Sequence, residues 1–183
     1  PELYFGDEYA AGRVDVEGDL VRLLEQAFNR SGATEEPRRL LRRRRNSTSG
    51  ARDNIFHHYD VGNDFFEKWL DSEMVYTCAY FPDPAMSLEA AQIAKLDHVC
   101  RKLRLRPGDR VVEAGCGWGS LARHMAARYG VTVDAYNISH EQITYARERA
   151  RRQGLGNRVT FHEADYRDIT GCYDAFVSVG MLE

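Results

Sequence analysis

At 183 residues and a formal net charge of -3, the chain suits one domain, or one domain with part of a second, and shows no basic excess that would call for nucleic acid. Hydrophobic residues at 43% and aromatics at 11% can fill a core, yet no apolar run nears the ~20 residues of a membrane span. Cys78, Cys100, Cys116 and Cys172 stand far apart without a C-x-x-C pair, which argues against zinc or a disulfide framework and fits a reducing cytoplasm. The opening residues Pro1-Glu-Leu-Tyr-Phe-Gly-Asp-Glu8 lack the apolar stretch of a secretory signal. A start without Met and a stop inside the apolar run Phe176-Val-Ser-Val-Gly-Met-Leu-Glu183 suggest a piece of a longer protein.

Residues 1–16 hold scattered aromatics and glycines without a period. Over residues 17–29, Leu20, Leu23, Leu24, Ala27 and Phe28 recur at helical spacing and predict a helix. Ser31-Gly-Ala-Thr-Glu-Glu-Pro37 reads as a linker, and Arg38-Arg-Leu-Leu-Arg-Arg-Arg-Arg45 follows it. Such a run is either a solvated helix end or a patch for anionic lipid headgroups, where each Arg is worth about 1 kcal/mol. Arg42, Arg43, Arg44 and Arg45 would make the contact in the second case. In the aromatic stretch 54–70, Asn63 or Asp64 is expected to cap a helix carrying Phe66, Trp69 and Leu70. Met74-Val-Tyr-Thr-Cys-Ala-Tyr-Phe81 is broken by Pro82 and Pro84; Ser87 then opens a helix over 88–103 with a weak capping box, and Arg106-Pro-Gly-Asp109 makes a turn.

The pattern changes at Arg110-Val-Val-Glu-Ala-Gly-Cys-Gly-Trp-Gly-Ser120. A β-branched pair, an acid and alternating glycines lead into a helix with Leu121, Met125 and Tyr129 on one face. Strand, glycine turn and helix open a nucleotide-binding α/β sheet, because glycine lets the backbone turn sharply and approach a ligand. The spacing is not the dinucleotide fingerprint, and no phosphate-cradling lysine follows. Glu113 would repel a pyrophosphate and suits a cationic amine or a ribose hydroxyl, which points to S-adenosylmethionine. The alternative is a turn that only packs strand on helix. Further strands are expected at 131–139, 159–164 and 173–180, and Ser139-His-Glu-Gln142 caps an intervening helix. Alternating strands and helices predict an α/β fold with a parallel, doubly wound sheet, whose strand C-terminal ends converge on the ligand. Asp134 falls mid-strand, a costly place for an acid buried on both faces. His57, His98, His124, His140 and His162 show no metal-ligand spacing, and no metal is expected.

Ordered strings carry a more specific likeness. His58-Tyr-Asp-Val-Gly-Asn-Asp-Phe-Phe66, Tyr76-Thr-Cys-Ala-Tyr-Phe81, Glu113-Ala-Gly-Cys-Gly-Trp-Gly119, Ser139-His-Glu-Gln142, Asp165-Tyr-Arg-Asp168 and Ser178-Val-Gly-Met-Leu-Glu183 resemble the cyclopropane-fatty-acyl-phospholipid synthase family. The resemblance implies a Rossmann-like class I S-adenosylmethionine-dependent methyltransferase sheet, here its first four strands, preceded by an α-helical cover. It divides the chain into the end of a small N-terminal domain (1–35), an Arg-rich linker (36–53), a lipid and cofactor cover (54–104) and the first half of the cofactor-binding domain (105–183).

Residue by residue, the resemblance implies Tyr76 and Thr77 as the hydroxyl pair at the methionyl end of the cofactor, with ordinary loop packing as the alternative. Gly115 and Gly117 allow close backbone approach, beside Glu113 and Trp118. Asn137 and Ile138 stand at the ribose side, where the family usually has Thr and Leu. Gln142 is a cofactor contact or only half of a capping box. Asp165 and Tyr166 face adenine, or Asp165 merely caps its own loop. For the chemistry, the resemblance implies a bicarbonate ion as base, with Glu183 as the acid of its pocket, Gly180 as a backbone contributor and Cys78 in the lining. Cys78 is equally readable as a small apolar residue, since nothing adjacent would generate a thiolate. Asp134 departs from the apolar family pattern, and His58 has no assigned role.

The expected function is therefore methylene transfer from S-adenosylmethionine to the double bond of unsaturated phospholipid acyl chains. The protein would sit peripherally on the inner face of the membrane, with a homodimer allowed for. A small-molecule N-, O- or C-methyltransferase is the alternative. A third reading is an inactive cofactor-binding fragment, whose four strands leave an uncovered edge at 176–180.

Overall fold

The computed structural model describes residues 5, 8, 9, 11–31 and 62–181. Two compact units divide the chain, Pro1–Arg45 and Asn46–Glu183. In the first, helix α1 (Leu20–Ser31) starts at the first of its periodic apolar residues, later than the expected residue 17, because Asp19 Oδ1 accepts the Arg22 amide at 3.1 Å and supplies the cap. The arginine run, His57 and His58 lie outside the described residues.

The second unit runs α2 (Asn63–Phe66), α3 (Leu88–Leu103), β1 (Arg110–Ala114), α4 (Ser120–Tyr129), β2 (Thr132–Asn137), α5 (His140–Arg152), β3 (Val159–Glu163), a 3-10 turn (Tyr166–Asp168) and β4 (Ala175–Val177). The strands form one parallel sheet in the order β3-β2-β1-β4, as the alternating pattern predicted. β1 is central and buried from Val111 to Ala114, which explains its β-branched run. Val111, Val133 and Phe161 pack with Met125 of α4 and Ile143 of α5 in one apolar cluster. Met125 and Ile143 are fully buried, each contributing about 2 kcal/mol through removal from water. After β3 the chain returns to the far side of β1, so the topological switch, and with it the expected crevice, lies at the C-terminal ends of β1 and β4.

Local chemistry explains where the elements differ from their sequence expectation. Asn63 does not cap α2: Gly62 stands at that position without a side-chain cap, and Asn63 Oδ1 instead accepts the Trp118 indole N–H at 2.7 Å. Ser87 does cap α3, accepting the Ala90 amide at 3.2 Å. β4 is shorter than its apolar run because the flanking polar residues engage β1 from its sides. Asp174 Oδ2 accepts the Arg110 amide at 2.8 Å, and Ser178 Oγ donates to the Ala114 carbonyl at 2.8 Å. Asp134 is accommodated by a neighbour across the sheet, its carboxylate meeting His162 Nε2 at 2.9 Å on a half-buried face.

Gly119, at φ +78°, is the joint between the glycine turn and α4. A Cβ there would stand 2.5 Å from Phe161 Cε1 and 2.9 Å from Ala146 Cβ. Gly119→Ala should therefore cost about 2–4 kcal/mol of stability in urea unfolding, combining backbone strain with overpacking. Gly117→Ala, which meets open space at φ +52°, should cost only about 1 kcal/mol. Equal losses at the two positions would contradict the packing role of Gly119.

Candidate cofactor cleft

A cavity of about 220 Å³ opens at the β1–β4 switch. Tyr76, Thr77, Glu113, Gly115 and Gly117 line it, all expected from the sequence. So do Trp118 of the same glycine turn, and Asn137, Gln142 and Gly180 from further along the chain. Cys78, Ile138, Asp165 and Tyr166 are not among its described lining residues, and Glu183 lies outside the described residues. Asp165 caps the 3-10 turn by accepting the Arg167 amide at 2.9 Å, and its carboxylate also pairs with the Arg167 guanidinium at 2.6 Å. The Arg167 guanidinium stands over the Tyr166 ring, 5.8 Å from its centroid. Cys78 is exposed.

The floor of the cleft is the glycine turn. The Gly115 and Cys116 amides both donate to the Tyr136 carbonyl, at 2.9 and 3.1 Å, which ties the turn to the end of β2. A Cβ on Gly115 would stand 2.9 Å from Met181 Sδ, and one on Gly180 would stand 2.9 Å from Thr77 Cγ2. Both glycines have positive φ; they let the segment after β4 fold back over β1 and meet the Tyr76–Thr77 loop. On the β2 side, Asn137 Nδ2 donates to Gln142 Oε1 at 2.7 Å and to the Gly117 carbonyl at 3.3 Å. Gln142 keeps half of the expected capping box, its backbone amide donating to Ser139 Oγ at 3.4 Å; the Ser139 amide donates to Asn137 Oδ1 at 3.3 Å instead of to the Gln142 side chain, which lines the cleft.

An aromatic wall closes another side. Trp118 is 2% exposed and packs against Phe66 at 5.0 Å and Tyr76 at 6.4 Å between ring centroids. The loop carrying Tyr76 and Thr77 is shaped by residues that motif reading passed over. Buried Asp71 accepts the Val75 amide at 2.8 Å and the Glu73 amide at 3.1 Å. Gln92 of α3 donates to the Val75 and Thr77 carbonyls at 3.2 and 3.0 Å. Lys95, one helical turn further, hydrogen-bonds Thr77 Oγ1 and also lines the cleft. Spacing could have revealed them: Gln92 and Lys95 share the i, i+3 and i+4 face with Leu96 and Val99, an apolar face on which two polar residues call for partners.

Glu113 sets the electrostatics. It is 4% exposed, and its Oε2 has no hydrogen-bond partner among the described residues. The Ala122 amide in the first turn of α4 favours its charged form. Burial outweighs this and pushes the Glu113 carboxyl up to about 8, against the pull of Lys95 and Arg123. Burial likewise lowers the Lys95 ammonium to about 8, opposed by Asp71, Cys78 and Glu113. The Cys116 thiol is pushed far up by burial and is inert as a nucleophile.

A parallel sheet with a glycine turn and an acid at the end of its central strand, closed by a helical and aromatic cover, defines a Rossmann-like class I methyltransferase. The chain belongs to the mycolic acid cyclopropane synthetase family, whose model matches residues 46–183. It is 40% identical over 182 residues to a probable fatty acid methyltransferase of Pseudomonas putida, covering 97% of this chain and 46% of that protein. It is 52% identical over 126 residues to the cyclopropane-fatty-acyl-phospholipid synthase of Escherichia coli K12, covering 69% of this chain and 32% of that one. The crystal structure of the mycolic acid cyclopropane synthase CmaA1 complexed with SAH and CTAB is similar with a TM-score of 0.68 at 32% identity, over 70% of this chain and 45% of that one. The chain thus spans less than half the length of these relatives.

Glu113 binds a proton in the folded protein that it lacks unfolded between its ordinary 4.5 and about 8, so this group's contribution to stability falls as pH rises through that window. Lys95 acts oppositely between about 8 and its ordinary 10.5, where the unfolded chain holds the extra proton and stability recovers with rising pH. Glu113→Gln should therefore flatten the loss of stability between about pH 5 and 8 in urea unfolding of the cofactor-free protein. Parallel pH slopes for variant and wild type would contradict the burial of an uncompensated acid.

Proposed function

We propose that the complete protein transfers a methylene group from S-adenosylmethionine to the double bond of unsaturated phospholipid acyl chains, forming a cyclopropane ring. The observation that carries this reading is the cleft at the β1–β4 switch, with the unpartnered Glu113 oxygen beside the glycine turn, in a chain of the cyclopropane synthetase family. These residues fit the cofactor. Glu113 offers a buried oxygen to its ammonium, or to a ribose hydroxyl. Gly115 and Gly117 allow backbone approach, Tyr76 and Thr77 bring hydroxyls to the methionyl end, and Asn137 with Gln142 brings amides to the sugar side. Asp165 and Tyr166 belong to the adenine end by resemblance.

When bound, S-adenosylmethionine supplies an electrophilic methyl on a sulfonium centre. The acyl-chain alkene takes that methyl, forming a C–C bond as the C–S bond breaks and leaving a carbocation on the lipid. A base then removes one proton from the new methyl, and the three-membered ring closes. The buried wall of Phe66, Trp118 and Met74 keeps water from quenching the cation. By resemblance the base is bicarbonate, associated with Gly180, Cys78 and Glu183. An anion beside Glu183 requires a shared proton or hydrogen-bond donors, since two bare anions repel.

A second reading keeps the first step and changes the fate of the cation, giving a methyl-branched chain; the Pseudomonas putida relative, named as a probable fatty acid methyltransferase, favours it. Proton NMR of monounsaturated phospholipid vesicles incubated with the complete protein and methyl-labelled S-adenosylmethionine separates the two. Vinyl signals should vanish as shielded ring-methylene signals appear, whereas new branched-methyl signals without ring protons would select the second reading. Unchanged lipid with cofactor bound would overturn both in favour of a small-molecule methyltransferase. The protein is further proposed to reach its substrate from the membrane surface through Arg42, Arg43, Arg44 and Arg45. Replacing the four with Gln should weaken binding to anionic vesicles mainly at low salt; binding that is unaltered at low salt would remove the run from the contact.

A further inference from the structure

Only two charged residues are among those described as lining the cleft, Lys95 and Glu113. They stand on different elements, Lys95 on α3 and Glu113 at the end of β1. Lys95 is 9% exposed, and its single hydrogen bond among the described residues is with Thr77 Oγ1. An ammonium carries three donors, so two N–H groups of a largely desolvated cation remain without an acceptor among the described residues. Glu113 is in the mirror position, a buried acid whose Oε2 has no partner among the described residues. Burying both groups in this condition costs free energy. A ligand with a carboxylate and an ammonium on one carbon would satisfy both at once.

We infer that Lys95 reads the carboxylate at the amino-acid end of the cofactor while Glu113 reads its ammonium, so that the pair selects a zwitterionic tail. The inference rests on the cofactor reading above and adds a binding residue that no motif in the sequence marks. Thr77 fits the arrangement: its hydroxyl hydrogen-bonds Lys95, and it faces Gly180 so closely that a Cβ there would collide with it. Thr77 thus holds the ammonium at the mouth of the turn. The other charged and titratable groups facing the pair are Asp71 and Cys78 around Lys95, and Arg123, Cys100 and Cys116 around Glu113. Of these only Cys116 lines the cleft among the described residues, and burial keeps its thiol uncharged, which leaves the two poles to Lys95 and Glu113.

The test compares two probes by calorimetry on the complete protein. S-adenosylhomocysteine carries the amino-acid tail; 5′-methylthioadenosine keeps the nucleoside and thioether but lacks it. Lys95→Met, which preserves the apolar stem, should weaken S-adenosylhomocysteine binding by roughly tenfold or more, as expected for loss of a charge-assisted hydrogen bond. Its affinity for 5′-methylthioadenosine should stay within about twofold of wild type, and Lys95→Arg should recover part of the loss; Lys95→Gln serves if methionine disturbs the fold. Equal weakening of both probes would reduce Lys95 to a strut for the Thr77 loop and overturn the inference, as would no weakening of either. Wild-type protein that binds no S-adenosylhomocysteine would overturn the cofactor reading together with this one.

Discussion

An acid sits where a central β-strand should be apolar. Glu113 is next to last in β1, which is buried from Val111 to Ala114, and is itself 4% exposed. Unpaired, such a group costs several kcal/mol, and the surroundings offset only part of this. The Ala122 amide reaches it from the first turn of α4, Lys95 and Arg123 face it with positive charge, and one oxygen is left over. Much of the local architecture follows from that constraint. The amides at the start of α4 lie on the side of the acid, and the bare turn of Gly115 and Gly117 keeps the space beside it free of side chains of its own. Cofactor binding would then recover stability that the folded cofactor-free protein forgoes.

The cover over the sheet is built by hydrogen bonds as much as by apolar contact. Gln92 and Lys95 hold the Val75–Thr77 backbone and hydroxyl from α3, and Asp71 fixes the bend before it. Trp118 belongs to the glycine turn, yet it packs on Phe66 and donates to Asn63. Turn and cover are therefore a single unit: a shift of α2 would pull on the turn through the indole. Arg123 extends the same coupling, with Nη1 bonded to Glu73 at 2.8 Å and to Gln153 at 3.2 Å.

The sheet was legible because its signals are local. β-branched runs, glycines at the turn and serine caps at 87 and 139 each act within a few residues, and strands alternating with helices leave little choice of topology. The cleft residues at the ends of β1 and β2 and after β4 were equally readable, since a doubly wound sheet brings strand ends together whatever their chemistry, but Asp165 and Tyr166 after β3 do not line the described cleft with them. What escaped was set by partners distant in sequence. Asn63 looked like a cap and is an acceptor for an indole 55 residues away. Asp134 looked misplaced until His162 of the neighbouring strand stood beside it. Lys95 and Gln92 carry no motif at all; their role arises from a loop that α3 meets only in the folded chain.

The central claim is that Glu113 is held as an uncompensated acid which the cofactor's ammonium relieves. If so, cofactor binding must change its protonation, because a carboxyl held near 8 by burial falls back once a cation faces it. Calorimetry of S-adenosylhomocysteine binding at about pH 7, in buffers of different ionisation enthalpy, reads this directly. The account predicts release of about one proton per ligand in the wild type and almost none in Glu113→Gln. Proton release that is absent in the wild type, or identical in the two proteins, would contradict it.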